Sequence, residues 1–219
     1  MNKDFEQEDA MTREVKARLK AAGQLVWQRH PLPWTHPSFK SCAVAAQRLL
    51  FDFDESKAIL VMRDPCLRSV REAVLFEGRT LVVPSRYGDA VYSIPHSAIA
   101  GGTALRIDPL PLGSEPFNGA VDLVVVACLA FDPLQKRLYT FEDEKTAYVL
   151  DELRQGLESG WCLPDKVPIA AVAADEQQVS GWLGFAQGSV EADVVVTQSR
   201  TVILGTGEIF ERSGAVDAN

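Results

Sequence analysis

Residues 57–84 read KAILVMRDPCLRSVREAVLFEGRTLVVP, and their punctuation decides the fold. KAILVM is a short apolar run, rich enough in branched residues to be an inner strand. Asp64 can accept from the first unpaired N–H groups of the next segment, Pro65 suits a first helical position, and Gly78 can take the left-handed conformation that closes a helix. RTLVVP then supplies a second strand at once. Strand, helix and strand with short joints make the parallel crossover unit, for which a right-handed connection is strongly preferred.

The same alternation continues toward the C-terminus. VDLVVVACLA (121–130), a helix from about 144 to 157 with Leu150, Leu153 and Leu157 on one face, VPIAAVA (167–173), ADVVVT (192–197) and RTVILG (200–205) follow in order. The expectation is an α/β fold of three layers, α/β/α, with a mostly parallel sheet covered on both faces. Between 85 and 118 the pattern is broken by Pro95, Gly101, Gly102, Pro109, Pro111, Gly113 and Pro116. That region is expected to form short strands and a long loop over the carboxyl ends of the sheet, where α/β ligand sites lie.

Toward the N-terminus, Val15, Leu19, Ala22 and Val26 recur at helical spacing, which predicts a helix over 12–29, ended by the prolines of HPLPWTHP. A second helix is predicted across SFKSCAVAAQRLL (38–50), capped by Ser38 or Ser41, buried through Val44, Ala45 and Leu49, and stopping near Phe51. The chain reads as one domain over 1–219, ordered over about 12–210, with a frayed SGAVDAN tail.

With 47% hydrophobic and 24% charged residues, the composition is that of an ordinary globular protein. Thirty acidic against 22 basic residues give a net charge of -8, which with no basic cluster argues against nucleic acid as a partner. No apolar run approaches the roughly 18 to 20 residues of a membrane span, and MNKDFEQEDA is unlike a signal peptide. A cytoplasmic protein, monomer or weak homodimer and without a membrane partner, is expected. Cys42, Cys66, Cys128 and Cys162 share no CxxC spacing, so free, mostly buried thiols are expected. His30 and His36 flank HPLPWTH but lack a nearby third ligand, so no metal site is assigned to them.

KAILVMRDP, VREAVLFEGRTLVVP, VDLVVVACLAFDPLQKRL, VPIAAVAADEQQV and ADVVVTQSRTVI, taken in this order and spacing, resemble the 5-formyltetrahydrofolate cyclo-ligase (methenyltetrahydrofolate synthetase) family. The resemblance covers about 12–205 and is strongest to the methenyltetrahydrofolate synthetase domain proteins. It implies a fold of the sugar-isomerase and coenzyme A transferase kind. It also implies conversion of 5-formyltetrahydrofolate to 5,10-methenyltetrahydrofolate, with ATP and Mg2+ as cofactors. Lys20 stands in the place of a lysine that serves nucleotide phosphates, while Gly23 occupies the place of its companion arginine; Lys16 and Arg18 substitute only if the alignment slips by a turn. Arg137 matches the arginine ahead of the family's glycine-rich phosphate loop, and Thr140 joins the nucleotide-binding set. Gln177 matches a glutamine at the substrate end, and Asp193 and Thr197 match the closing strand.

Two elements depart from the family. Tyr139, Phe141 and Asp143 stand where three loop glycines belong, and Gly188 and Ser189 replace a His-Asp pair. A backbone without glycine cannot approach phosphate closely, and Glu142, Asp143 and Glu144 at the helix start put carboxylates where phosphate would sit. These acids read either as a capped surface helix or as a group for magnesium or a cationic partner. Arg137 and Lys20 also have plain readings as solvated cations, Gln177 as a loop-satisfying residue and Asp193 as a strand-start residue. Three functions follow: the ATP-dependent cyclo-ligase; a non-catalytic relative binding a folate, another small anion or a protein partner; and, by fold analogy alone, a sugar-phosphate isomerase or acyl transferase.

Overall fold

The structure is a computed structural model describing residues 3–26, 36–99, 109–140, 143–180 and 190–210. Its centre is set by three strands buried at every position: β1 (Ala58–Val61), β5 (Leu123–Ala127) and β8 (Ile169–Val172). A strand apolar at each residue presents both faces to neighbours, so both must be covered.

The sequence between 57 and 84 folds as its punctuation predicts. β1 leads through Asp64, whose Oδ1 accepts from the Cys66 N–H at 2.8 Å, into a 3-10 turn at Pro65–Leu67 and then α3 (Arg68–Phe76). Gly78 closes the helix at φ +72°, its N–H donating to the Leu75 carbonyl at 3.0 Å. β2 (Thr80–Pro84) returns parallel to β1. Beyond it, β3 (Val91–Ile94) and β4 (Glu115–Pro116) add antiparallel strands at that margin. These are the short strands expected over 85–118; residues 100–108 of the expected loop lie outside the described residues.

On the other side, β9 (Val194–Val196) pairs parallel to β8, and β10 (Thr201–Ile203) and β11 (Ile209–Phe210) turn back antiparallel. The nine-stranded order is β11-β10-β9-β8-β5-β1-β2-β3-β4, parallel through the five strands from β9 to β2. The sheet is thus mostly parallel at its core and antiparallel at both margins. β1 to β2 steps one way across the sheet, and β5 to β8 steps the other. Right-handed crossovers therefore put α3 on one face and α4 (Asp143–Gln155) on the opposite one. α2 (Cys42–Asp52) packs on α3 and against β8 and β9, completing that layer.

Some elements differ from the sequence reading. α1 spans Lys3–Ala21, so it begins well before Thr12 and stops well before residue 29. Its end is set by Gly23 at φ +69°, with the Gln24 N–H donating back to the Leu19 carbonyl at 2.8 Å, and not by the prolines. Val15 and Leu19 are buried, but Ala22 and Val26, past that end, are exposed. In α2, Ser41 is the N-cap position without a side-chain cap bond, Ala45, Ala46 and Leu49 face the core, and Val44 faces out. The connection from β5 to α4 is not plain loop: β6 (Ala130–Phe131) and β7 (Leu138–Tyr139) pair antiparallel within it. Leu150 and Leu153 of α4 are buried as expected, while Leu157 falls beyond the helix and is only partly buried.

Two aspartates tie neighbouring strands at the amino edge of the sheet. Asp122, just before β5, accepts from the Lys57 and Ala58 N–H groups at 2.8 and 2.9 Å; Asp193, just before β9, accepts from the Ile169 N–H at 2.8 Å. Each satisfies amides at the start of the adjacent strand that the ladder leaves unpaired.

Candidate functional site at the carboxyl edge

In an open α/β sheet the ligand crevice lies where the strand order reverses, outside the carboxyl ends of the strands. Here the reversal falls between β1 and β5. That crevice is filled by the protein's own polar side chains. His36 is almost fully buried, and its Nδ1 lies 2.5 Å from the Asp64 Oδ2. Arg71, 1% exposed, reaches back from α3 so that Nη1 donates to the Met62 and Asp64 carbonyls at 3.1 and 3.0 Å.

The electrostatics follow from burial and pairing. Burial pushes the Asp64 carboxyl upward, but the His36 imidazole and the hydrogen bonds from His36 and Cys66 outweigh it and hold the carboxyl below its ordinary value. Burial lowers Arg71 to about 10, against the pull of Cys66 and Asp64, so it remains a cation at neutral pH. Cys42, Cys66 and Cys128 are free buried thiols; burial raises Cys42 to about 11 and Cys128 to about 12, and pushes Cys66 up as well. They stay protonated at neutral pH and are poor nucleophiles. Cys162 is exposed.

Gln177 closes the crevice from the β8 side. Its Nε2 donates to the Cys128 and Leu129 carbonyls at 2.8 and 3.0 Å, and its Oε1 accepts from the Ala174 N–H at 2.7 Å. Both amide hydrogens are spent on the backbone and the residue is 1% exposed, so it clamps the ends of β5 and β8. Thr140 lies on the same side, just past β7, where the Tyr139 carbonyl accepts from the Leu129 N–H at 2.6 Å. Thr140 is 3% exposed, and its hydroxyl has no hydrogen-bond partner among the described residues.

The remaining expected nucleotide ligands stand apart from these. Arg137 is 59% exposed on the hairpin and lies 3.6 Å from Glu191 in a surface pair. Lys20 is exposed on α1. Arg18, from the same helix, instead lines an open groove of about 380 Å³ with Glu14, Asp175, Gln178, Val179, Ser180 and Arg200. Thus the structure brings Thr140 and Gln177 to one region and leaves Lys20 and Arg137 on the surface. Thr197 is buried and its Oγ1 accepts from the Ser199 and Arg200 N–H groups at 3.3 and 3.1 Å, a turn-forming role. His30, Phe141, Glu142, Gly188 and Ser189 lie outside the described residues, as do the side chains of Asp143 and Glu144. Among the described residues no group of three candidate metal ligands occurs, and no helix is long and apolar enough to cross a membrane.

The site residues that the sequence reading missed are Arg71 and Arg200; the His36 pairing with Asp64 was missed as well. Asp64 was legible as a cap, but its second partner is 28 positions away. No family model matches the chain, and no curated protein matches it. A solved structure of a protein of unknown function from Methanothermobacter thermautotrophicus is similar at 8% identity and a TM-score of 0.35, covering 72% of this chain and 99% of that one.

Proposed function

We propose that the protein is a slow 5-formyltetrahydrofolate cyclo-ligase-like enzyme with a degenerate nucleotide loop, which takes the phosphates of ATP at the start of α4, weakly because of the missing glycines and the neighbouring carboxylates, and closes the formylated folate to 5,10-methenyltetrahydrofolate. The observation that carries this reading is Thr140, a buried hydroxyl without a hydrogen-bond partner among the described residues, just ahead of the helix N-terminus. A buried hydroxyl left unpaired costs about 1 to 3 kcal/mol, and an anion held there by the free N–H groups of α4 would satisfy it. Arg137, which among the described residues meets only Glu191 in a long surface contact, can swing toward the same phosphates. Magnesium fits this arrangement as an ion carried by the nucleotide, since it keeps several waters and asks little of the protein.

The test is methenyltetrahydrofolate absorbance on mixing concentrated protein with 5-formyltetrahydrofolate and magnesium-ATP. Turnover should fall at least about tenfold in Thr140→Val, while the unliganded variant gains about 1 kcal/mol of stability in denaturant unfolding because the orphaned hydroxyl is gone. A flat trace for the unmodified protein would overturn the enzyme reading.

A second reading, binding without turnover, is favoured by β7. Leu138 and Tyr139 are paired to Ala130 and Phe131, so the backbone at the first loop-glycine position is committed to a hairpin and carries a large side chain. On this reading 5-formyltetrahydrofolate raises the melting temperature without ATP and without product. A folded sample that shifts with neither ligand would exclude both readings.

A further inference from the structure

The groove beside α1 has a charge arrangement that neither reading uses. One wall is α1, which presents Glu14 and Arg18, one turn apart; the other is the turn after β8 with Asp175 and Gln178, joined by Arg200 from the β9–β10 turn. α1 packs directly on the 3-10 turn at Asp175–Gln177, so the two walls are held against each other. Among the described residues the side chains of Glu14 and Arg18 have no hydrogen-bond or ion-pair partner. Among the described residues Arg200 is committed on one edge only: its Nη2 donates to the Gln178 Oε1 at 2.9 Å, and its Nε lies 3.7 Å from the Asp175 Oδ1. Asp175 likewise spends one oxygen, accepting from the Ser199 Oγ at 2.8 Å. Each wall therefore offers one guanidinium and one carboxylate with bonding capacity to spare.

We infer that this groove is a binding site for a free α-amino acid. A simple anion drawn to Arg18 and Arg200 meets Glu14 and Asp175, and a simple cation meets the two guanidiniums, so either is opposed as strongly as it is attracted. A zwitterion is matched at both ends: its carboxylate takes charge-assisted bonds from Arg18 and Arg200, and its ammonium gives them to Glu14 and Asp175. The volume of about 380 Å³ lies at the small end of ligand sites, which run from about 300 to 1,000 Å³. Gln178 and Ser180 leave an amide N–H and a hydroxyl for a polar side chain, with Val179 beneath, which selects a ligand of the glutamine kind.

The proposal is independent of the nucleotide site and is tested apart from it, by calorimetric titration of the full chain with L-glutamine, with glutaramate, which lacks the ammonium, and with the α-amide of L-glutamine, which lacks the carboxylate. L-glutamine should bind, and each analogue should bind at least about tenfold more weakly, the loss expected for one charge-assisted contact. Arg18→Ala and Glu14→Gln, which remove no hydrogen bond or ion pair among the described residues, should each weaken L-glutamine by at least about the same factor with the melting temperature of the unliganded protein nearly unchanged. No binding of L-glutamine, L-serine or L-alanine at millimolar concentration overturns the inference. So does equal affinity for glutaramate, or an Arg18→Ala variant that binds like the parent.

Discussion

Asp64 shows how one residue can serve two elements. Its Oδ1 caps the turn into α3, a role readable from Asp-Pro after a strand, and its Oδ2 holds His36. The second role was not legible, because nothing local in the sequence says which distant imidazole a buried carboxylate meets. Its lowered pKa has a signed consequence. The unfolded carboxyl titrates near about 3.9, and the folded one lies lower. The stabilisation is therefore fully present above the unfolded value and is lost as pH falls through the folded one. Asp64→Asn should be about 2 kcal/mol less stable than the parent at pH 7, the range for a hydrogen bond to a charged group. Denaturant unfolding should show that gap narrowing below about pH 4, where the parent carboxyl begins to lose its advantage. A gap independent of pH would show that Asp64 acts by shape alone.

At the scale of elements, Gln177 joins segments that hydrogen-bond patterns within strands leave apart. It pins the exit of β5, through the Cys128 and Leu129 carbonyls, to the exit of β8 through the Ala174 amide. Gln177→Ala orphans those groups in a buried place, so unfolding free energy should fall by about 2 to 3 kcal/mol. Loss of 5-formyltetrahydrofolate binding with stability intact would instead return Gln177 to the substrate. The resemblance marked this residue, and the geometry supplies a structural reason for a glutamine there: an amide both gives and accepts, which a carboxylate or an apolar side chain of that length cannot do. The β6–β7 hairpin was illegible by contrast. Its strands are two residues each, too short for alternation to register, and AFDPLQKRLY reads equally well as loop.

For the molecule as a whole, the central sheet was the most legible feature. Runs such as LVVVA and IAAV are apolar at every position, which only a strand covered on both faces explains in an α/β alternation. Strand direction at the margins was harder, because RTVILG and VYSI carry no mark that distinguishes a parallel partner from an antiparallel one. The groove beside α1 was illegible for another reason: it joins residues 14 and 18 to 175, 178 and 200, which only the completed fold brings together. The layering also orders local stability. Amides of β1, β5 and β8 should exchange with solvent hydrogen only through global opening, and those of β10 and the single amide of β4, at Glu115, far sooner, as native-state hydrogen exchange would register. Faster exchange in β5 than in β10 would contradict a single core centred on the parallel strands.

Among the described residues the sheet ends on one side at β4, a strand of only two residues, Glu115 and Pro116, both exposed. A strand this short, with an ionised side chain and an imide nitrogen that has no hydrogen to donate, is a poor template for another chain to extend. Self-association by continuing the ladder across that margin is thereby discouraged, and the molecule is protected there against edge-to-edge aggregation. A homodimer, where one forms, would not be built by pairing backbone to backbone across β4.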